Sequence, residues 1–181
     1  MKVLMIFADG FEDVEAIATR DVLIRSGIEV VDATINESDE VIASHKLTLK
    51  GFKRLSTLNL SEFNAIILPG GSRGVNNILG SSLVINTVKY FYESNKLVCA
   101  ICAAPMVLSK AGVLKDKEYT CYPGCEVGLE GIYIGKEVVV LDKLITARSM
   151  LYSVPFGLAI IEKLLGKETK DKIYNQIAGI K

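Results

Sequence analysis

The chain has 181 residues, of which 50% are hydrophobic and 23% are charged, and this composition excludes a disordered chain. Its 21 basic residues balance its 21 acidic residues, so we expect no surface that binds nucleic acid or an anionic membrane. No apolar run approaches the roughly 20 residues of a membrane helix, so we expect no membrane partner.

The amino-terminal segment MKVLMIFA predicts a buried strand rather than an export signal. The segment is short, and the acidic residues Asp9 and Glu12 follow it closely without an export-type cleavage site. We therefore expect a cytoplasmic protein, in which thiols remain reduced and disulfides are rare. We also expect one domain over residues 1–181, because a chain of this length can bury a single core.

The first part of the chain predicts a β-α-β unit. A strand over residues 2–8 precedes a helix over residues 13–26, which Gly27 ends, and a second strand follows over residues 28–35. Helical spacing predicts that the apolar face of this helix consists of Val14, Ile17, Ala18 and Val22. Connections this short imply parallel strands and a right-handed crossover.

The alternation continues to the end of the chain, interrupted by a small hairpin predicted over residues 41–60 as an addition to the sheet. Further strands are predicted over residues 65–68, 97–101, 138–140 and 144–147, and further helices over residues 82–94, 103–111, 154–165 and 171–177. The predicted fold class is an α/β sandwich. Ligands of open α/β sheets bind beyond the carboxyl ends of the strands, which here are residues 8–10, 69–71 and 101–102.

Four cysteines are spaced as Cys99-x-x-Cys102 and Cys121-x-x-x-Cys125, which superficially resembles a zinc ribbon. Cys99 lies inside an apolar strand, and residues i and i+3 of a strand point to opposite faces. Cys99 and Cys102 should therefore be unable to share a tetrahedral ion, and we expect no metal. Cys99 is expected to be a small buried hydrophobic residue.

Cys102 lies between a predicted strand and a predicted helix, in the segment Ala100-Ile101-Cys102-Ala103-Ala104. Small residues two positions before and after a nucleophile are typical of a nucleophile elbow, because that turn crowds its neighbours. A thiol in such a turn would stand at a helix N-terminus, which lowers a thiol pKa. The alternative is plain burial, since an apolar strand followed by alanines is also a common core composition.

Pro69-Gly70-Gly71 and Glu15 are the other candidate site residues. Glycines directly after a strand let backbone N–H groups approach an anion or a developing oxyanion, although an ordinary turn has the same composition. Glu15 could project over the strand ends beside Cys102. The alternative is that Glu15 is a solvated acid on the helix surface.

Several separated segments together resemble the ThiJ/PfpI superfamily, in the branch of the Parkinson-disease-associated protein deglycase and its bacterial relatives. In chain order they are ADGFEDVEAIATRDVLIRSGIEV, AIILPGGSRGVNNI, VCAICAAPMVLSKAGVL, YTCYPG, ITARS and AIIEKLLG. The resemblance runs from Val3 to about Leu165. The shared order of these segments makes it more specific than any one glycine pattern.

The resemblance implies a flavodoxin-like three-layer α/β/α sandwich with a mostly parallel sheet, of the class I glutamine amidotransferase type. It also implies a homodimer, which the positive mean hydropathy of +0.34 favours, and no cofactor. By position, Cys102 matches the family's oxidation-prone cysteine, and Glu15 matches the acid that is hydrogen-bonded to its sulfur. Gly70, Gly71 and Ala103 match the backbone donors around the anion pocket.

Four positions depart from the family pattern, of which Ala104, in place of the usual glycine after the elbow, is the mildest change. Peptidase-like members carry histidine directly after the cysteine, where this chain has Ala103, so a protease is disfavoured. Tyr122 stands where members of the deglycase branch often bring a histidine near the cysteine. His45, the only histidine, stands where an arginine often reaches the pocket from the partner subunit. Tyr122 and His45 are therefore possible pocket residues, although His45 could equally be a polar residue on an exposed hairpin.

The sequence thus predicts a cysteine-dependent enzyme of the glyoxalase or deglycase type, whose substrate is a small reactive carbonyl or its thiol or amine adduct. The alternative is a non-enzymatic oxidative-stress sensor or chaperone whose signal is oxidation of Cys102. Both functions need the same low-pKa thiol, so the sequence does not choose between them. A nucleotide binder is disfavoured because no G-x-G-x-x-G fingerprint follows the first strand.

Overall fold

The computed structural model describes residues 1–180, which form a three-layer α/β fold around a seven-strand, mostly parallel sheet. The strands are β1 (Lys2–Phe7), β2 (Glu29–Thr34), β3 (Glu40–Ile42), β4 (Thr48–Lys50), β5 (Lys53–Arg54), β6 (Ala65–Leu68), β7 (Leu97–Ile101), β8 (Glu118–Tyr119), β9 (Ile132–Tyr133), β10 (Val138–Val140) and β11 (Leu144–Ala147). The helices are α1 (Asp13–Arg25), α2 (Ser72–Leu79), α3 (Ser82–Glu93), α4 (Pro105–Lys110), α5 (Ser153–Leu165) and α6 (Lys167–Ala178).

The main sheet has the strand order β10-β11-β7-β6-β1-β2-β5, and every neighbouring pair is parallel except β10 and β11. β1 lies inside the sheet, between β2 and β6, and residues 3–7 of this strand are buried. Its unbroken apolar run is typical of a parallel strand that helices cover on both faces. The carboxyl ends of β1, β6 and β7 lie side by side at one edge of the sheet.

Two apolar cores flank the sheet, because alternate residues of each strand point to opposite faces. Leu4 and Ile6 of β1 pack into the core that α2, α3 and α4 cover, whereas Val3, Met5 and Phe7 pack into the core that α1 and α5 cover. Helix α6 packs against α5. Within residues 1–180, no helix is long and apolar enough to cross a bilayer.

The buried face of α1 differs from the prediction. Val14 and Ile17 are 45% and 40% exposed, whereas Val22 is buried as predicted. The inward face also carries Glu15 and Leu23, which helical spacing from Val14 did not include. Apolar residues occur around the whole circumference of α1, so their periodicity does not identify one face.

Further elements differ from the sequence prediction, among them β8 and β9, which form a two-stranded sheet that was not predicted. Helix α2 was not predicted, because its sequence SRGVNNIL contains glycine and two asparagines, which are weak helix formers. The helix predicted over residues 103–111 begins only at Pro105, after a turn. The predicted hairpin is present as β3 and β4, but these strands form a separate two-stranded sheet, and β5 joins the main sheet beside β2.

Candidate active site

Cys102 lies directly after β7, in a backbone conformation that residues other than glycine rarely adopt. Its φ angle is +64°, and such a left-handed conformation costs on the order of 1–3 kcal/mol. Two backbone hydrogen bonds hold the residue there. The Cys102 N–H donates to the Ala147 carbonyl at 2.9 Å, and the Tyr122 N–H donates to the Cys102 carbonyl at 2.8 Å. The buried side chains of Ala100 and Ala104 leave room for this sharp turn, as an elbow requires.

The four cysteines do not form one cluster. Cys99 is fully buried in the core beneath α1 and α5, and the half-buried Cys102 packs against this same core. The predicted opposition of Cys99 and Cys102 was therefore wrong, because Cys102 lies beyond the strand and the left-handed turn redirects its side chain. Cys121 and Cys125 pack with the core on the other face of the sheet. Cys99 and Cys121 are thus buried in opposite cores, so one tetrahedral ion could not reach all four sulfur atoms.

Glu15 is buried and faces the elbow, although it is a carboxylic acid on a helix. Only 1% of the residue is exposed, its Oε2 accepts a hydrogen bond from the Gly70 N–H at 2.9 Å, and its carboxyl group is hydrogen-bonded to Cys102. The side chain of Glu12 caps α1 by accepting the Glu15 N–H at 2.7 Å, which fixes the first turn of the helix. The reading of Glu15 as a solvated surface acid is thus excluded.

Gly70 and Gly71 form the narrow loop between β6 and α2. A Cβ atom at Gly70 would overlap the Glu15 Oε2 and would lie 2.7 Å from the Cys102 Cβ. Gly71 has a φ angle of +93°, and a Cβ atom there would lie 2.6 Å from the Glu12 nitrogen. Only residues without a side chain therefore fit between α1 and the elbow. The N–H groups of Gly71 and Ala103 are hydrogen-bonded to the Cys102 sulfur.

Glu15 and Cys102 both bind their protons more tightly than free side chains do. Burial raises the pKa of Glu15 to about 7, against the opposing effect of its hydrogen bond to Cys102. Burial and the Glu15 carboxylate raise the pKa of the Cys102 thiol, and the N–H groups of Ala103 and Gly71 lower it. The raised thiol pKa corrects the prediction of a lowered one. That prediction placed Cys102 at a helix N-terminus, but α4 is only six residues long and begins three residues after Cys102. Near neutral pH the thiol therefore keeps its proton, while the Glu15 carboxyl group is close to half protonated, and the two groups titrate as a coupled pair.

The elbow opens into a cleft with a volume of about 490 Å³, a size that suits a small metabolite. The residues that line it are Glu12, Ser44, His45, Gly71, Ser72, Val75, Asn76, Cys102, Ala103, Met106, Tyr122, Gly124, Cys125 and Val127. The sequence predicted five of these, namely His45, Gly71, Cys102, Ala103 and Tyr122. The others lie on loops, on α2 and on α4, and the sequence analysis did not single them out as site residues.

His45 and Tyr122 are both exposed at the rim of the cleft. The Nδ1 atom of His45 lies 3.0 Å from Oδ2 of Asp13, which orients the imidazole ring. The resemblance places the corresponding arginine in the partner's pocket, whereas His45 lines the cleft of its own chain. Glu12, Asp13 and His45 bring ligand atoms within 4.8 Å of one another. The cap of α1 and the Asp13–His45 hydrogen bond explain this proximity without a metal ion.

Comparisons with known proteins identify the family. A model of the DJ-1/PfpI family matches residues 1–163. The chain belongs to the DJ-1/PfpI family. Protein dj-1beta of Drosophila melanogaster is 36% identical over 173 residues, which cover 94% of this chain and 92% of that protein. Protein DJ-1 homolog B of Arabidopsis thaliana is 38% identical over 169 residues, 92% of this chain but only 39% of that longer protein.

The DJ-1/PfpI fold is also found in solved structures. The crystal structure of Drosophila melanogaster DJ-1beta superposes with a TM-score of 0.91 at 35% identity, covering 98% of this chain and 97% of that one. Toxoplasma gondii DJ-1, solved in a form described as oxidized, superposes with a TM-score of 0.89 at 31% identity and covers 98% and 97% of the two chains. A Pyrococcus horikoshii relative named a deglycase is 32% identical over 153 residues, which cover 82% of this chain and 90% of that protein.

Proposed function

We propose that this DJ-1/PfpI chain is a cysteine-dependent enzyme that acts on small reactive carbonyls, such as methylglyoxal, or on their thiol and amine adducts. One observation carries the proposal. The Cys102 sulfur lies at the wall of an open cleft, between a buried carboxyl group and two backbone N–H donors. The relative named a deglycase supports the same substrate class. A reducing, cytoplasmic setting belongs to the proposal, because the reaction needs a free thiol.

In the proposed reaction the proton of the Cys102 thiol moves to the Glu15 carboxylate, and Cys102 attacks the aldehyde carbon as a thiolate. The N–H groups of Gly71 and Ala103 hold the oxygen that gains negative charge when the hemithioacetal forms. Glu15 then donates its proton to this oxygen, and its carboxylate takes the hydrogen from the carbon bonded to sulfur as the adduct rearranges to a thioester. Water hydrolyses the thioester to a hydroxy acid and the free Cys102 thiol. A carboxyl group whose pKa is about 7 is suited to both roles at neutral pH.

Residues at the rim are assigned weaker roles. Tyr122 can donate a hydrogen bond from its phenol to a bound substrate, and His45 can contact a polar substrate group. Ala103 follows the nucleophile, so no histidine stands beside Cys102 in the chain, which disfavours a protease. The reaction as proposed uses no cofactor and no metal.

The direct test is turnover of methylglyoxal by purified wild-type protein beside Cys102→Ser, Glu15→Gln and the control Cys99→Ala. We expect the first two variants to lose at least about 100-fold in rate, as removal of a nucleophile or a proton carrier does. Cys99→Ala alters a buried residue that does not line the cleft, so it should retain most of the wild-type rate. Equal turnover by wild type and Cys102→Ser would refute the proposal.

The alternative function is an oxidative-stress sensor or chaperone in which Cys102 becomes a sulfinate. The same two N–H donors and Glu15 favour it, because they could hold sulfinate oxygens. The Toxoplasma gondii relative, described as oxidized, supports it as well, because oxidation of that protein is compatible with the shared fold. Absence of carbonyl turnover in the wild type, together with holdase activity that appears only after peroxide treatment, would favour this alternative.

A further inference from the structure

Two cysteines line the cleft, although the proposed function uses only one of them. Cys102 lies on one wall, and Cys125 lies on the irregular segment between β8 and β9 that forms another wall. Cys99 and Cys121 are fully buried and do not line the cleft. Cys102 and Cys125 are therefore the two thiols that face the same solvent-filled space.

A short chain of backbone hydrogen bonds connects these two cysteines. The Tyr122 N–H donates to the Cys102 carbonyl at 2.8 Å, and the Cys125 N–H donates to the Tyr122 carbonyl at 2.9 Å. Residues 122–125 thus form a tight turn, with proline second and Gly124 third at a φ angle of +94°, as in a type II turn. The first hydrogen bond and the turn together keep the Cα atoms of Cys102 and Cys125 within roughly 13 Å.

A disulfide requires Cα atoms about 4.4–6.8 Å apart, so the segment that carries Cys125 must approach the elbow by several ångströms. Residues 120–131 contain no helix or strand, and positive φ angles at Gly124, Gly128 and Gly131 show that glycines form its turns. Such a segment can move without disrupting the main sheet, because the sheet does not depend on its hydrogen bonds.

The surroundings of Cys125 suit a thiol that reacts second. Burial and a neighbouring carboxylate raise the pKa of Cys125, as they do for Cys102, but only the Cys102 sulfur has backbone N–H donors, from Gly71 and Ala103, that can hold a thiolate. Cys102 should therefore react with peroxide first. The Oε2 atom of Glu126 is held by the Gly124 N–H at 2.6 Å. The same oxygen accepts from the Cys121 Sγ at 4.0 Å, so the carboxylate is fixed, and its charge acts on Cys125, whose thiol proton it can accept when the sulfur attacks.

We propose that Cys125 is a resolving cysteine, which converts a sulfenic acid at Cys102 into a Cys102–Cys125 disulfide. A hydroperoxide first oxidises the Cys102 thiolate: the sulfur attacks the O–O bond, takes one oxygen and releases water or an alcohol. Cys125 then attacks that sulfur, gives its proton to Glu126, and displaces hydroxide, which leaves as water with the proton of Glu15. A small dithiol restores both thiols and is itself oxidised to a disulfide.

This inference rests on the reactivity of Cys102 that the proposed function also needs, but it does not require carbonyl turnover. Its consequence is protection of the nucleophile. A sulfenic acid that is captured as a disulfide cannot proceed to sulfinic acid, which thiols do not reduce. The cleft would therefore recover its free thiol after an oxidative episode.

The test treats the wild-type protein with a limiting amount of hydrogen peroxide, blocks free thiols with N-ethylmaleimide, and digests without reductant. We expect mass spectrometry to find a peptide in which Cys102 and Cys125 are linked. The same linkage should form in the control variant Cys99→Ala, because Cys99 is fully buried and does not line the cleft. In Cys125→Ser and Cys125→Ala the linkage should be absent, and sulfinic acid at Cys102 should increase several-fold at the same peroxide dose.

Equal sulfinic acid yields in wild type and in both Cys125 variants would overturn the inference, as would a linkage to Cys121. Alkylation of Cys102 by iodoacetamide at the wild-type rate verifies that each variant retains a folded site. Methylglyoxal turnover separates the two proposals. If the disulfide forms but methylglyoxal is not turned over, the enzyme proposal is refuted and the resolving role stands. If Cys125→Ser turns methylglyoxal over normally and the wild type forms no disulfide, the resolving role is refuted and the enzyme proposal stands.

Discussion

The Glu15–Cys102 pair is the chemical centre of the site, because the buried carboxyl group and the half-buried thiol are hydrogen-bonded and titrate as a pair. Both variants Glu15→Gln and Glu15→Leu remove the titratable carboxyl group, but only glutamine keeps a hydrogen-bond donor toward the sulfur. We therefore predict that the Cys102 thiol has a higher pKa in Glu15→Leu than in Glu15→Gln, and that both differ from the wild type. Ultraviolet absorbance of the thiolate against pH measures this order.

The control for this titration is Cys102→Ser, whose absorbance curve contains only the other three thiols and the tyrosines. Subtraction of that curve isolates Cys102 in each background. Identical Cys102 titrations in the wild type and both Glu15 variants would contradict the contact between the two side chains, and the proposed site would then be wrong.

Glu15 should also make the stability of the fold depend on pH. Burial raises its pKa from 4.5 to about 7, so between these values the folded chain binds a proton that the unfolded chain has released. The free energy of unfolding therefore falls as pH rises through this window, by up to about 3 kcal/mol from this group. Urea unfolding near pH 5 and near pH 8 should show that loss in the wild type and a smaller one in Glu15→Gln. An equal pH dependence in both proteins would exclude this role.

At the scale of elements, the apolar strands and the elbow were predictable, but the packing of the helices was not. The runs at β1, β6 and β7 are apolar throughout, so local sequence defines them and places their carboxyl ends together. The elbow was predictable because the alanines beside Cys102 satisfy a steric rule that acts within five residues. The buried face of α1 was not, since Val14 and Ile17 satisfy helical spacing as well as Leu23 does.

The full lining of the cleft was not predictable from the sequence either. Cys125 and Met106 reach it from a loop and from α4, and only the tertiary fold brings them to Cys102. The directions of the pKa shifts also depend on tertiary burial. The sequence predicted a lowered thiol pKa at Cys102 from a helix N-terminus, but desolvation and the neighbouring carboxylate outweigh the backbone donors.

The loop between β6 and α2 offers a test of how closely the elements must pack. Gly70→Ala would place a methyl group 2.7 Å from the Cys102 Cβ and against Glu15. We predict a loss of roughly 1–3 kcal/mol in the free energy of unfolding, as overpacked sites show, and a changed alkylation rate at Cys102. Gly80→Ala is the matched control, since its nearest contact is an ordinary 3.5 Å to Asn77. A Gly70→Ala protein as stable as Gly80→Ala would mean that the loop is not tightly packed against Glu15 and Cys102.

At the scale of the whole molecule, one exposed apolar surface is a candidate for contact with a second copy of the chain. We define it by Val14 and Ile17 on α1 and by Ile42 and Leu47 on the β3–β4 hairpin, each 40–47% exposed. The two elements lie side by side, because the His45 N–H donates to Asp13 and because Ile17 shares a hollow with Leu49. An apolar surface of this kind favours association, and the family resemblance implies a homodimer.

We therefore predict a homodimer in solution, with a mass by light scattering of twice the 19.7 kDa of one chain. Ile17→Lys or Leu47→Lys should shift the protein toward the monomer, because a charge buried without a partner costs several kcal/mol at an interface. Leu83→Lys is the control: Leu83 is similarly exposed, but it lies on α3 in the opposite helical layer, so its variant should remain dimeric. A wild-type monomer at micromolar concentration would refute the dimer. If Leu83→Lys dissociates the dimer, and Ile17→Lys and Leu47→Lys do not, then the interface lies on the α3 layer instead.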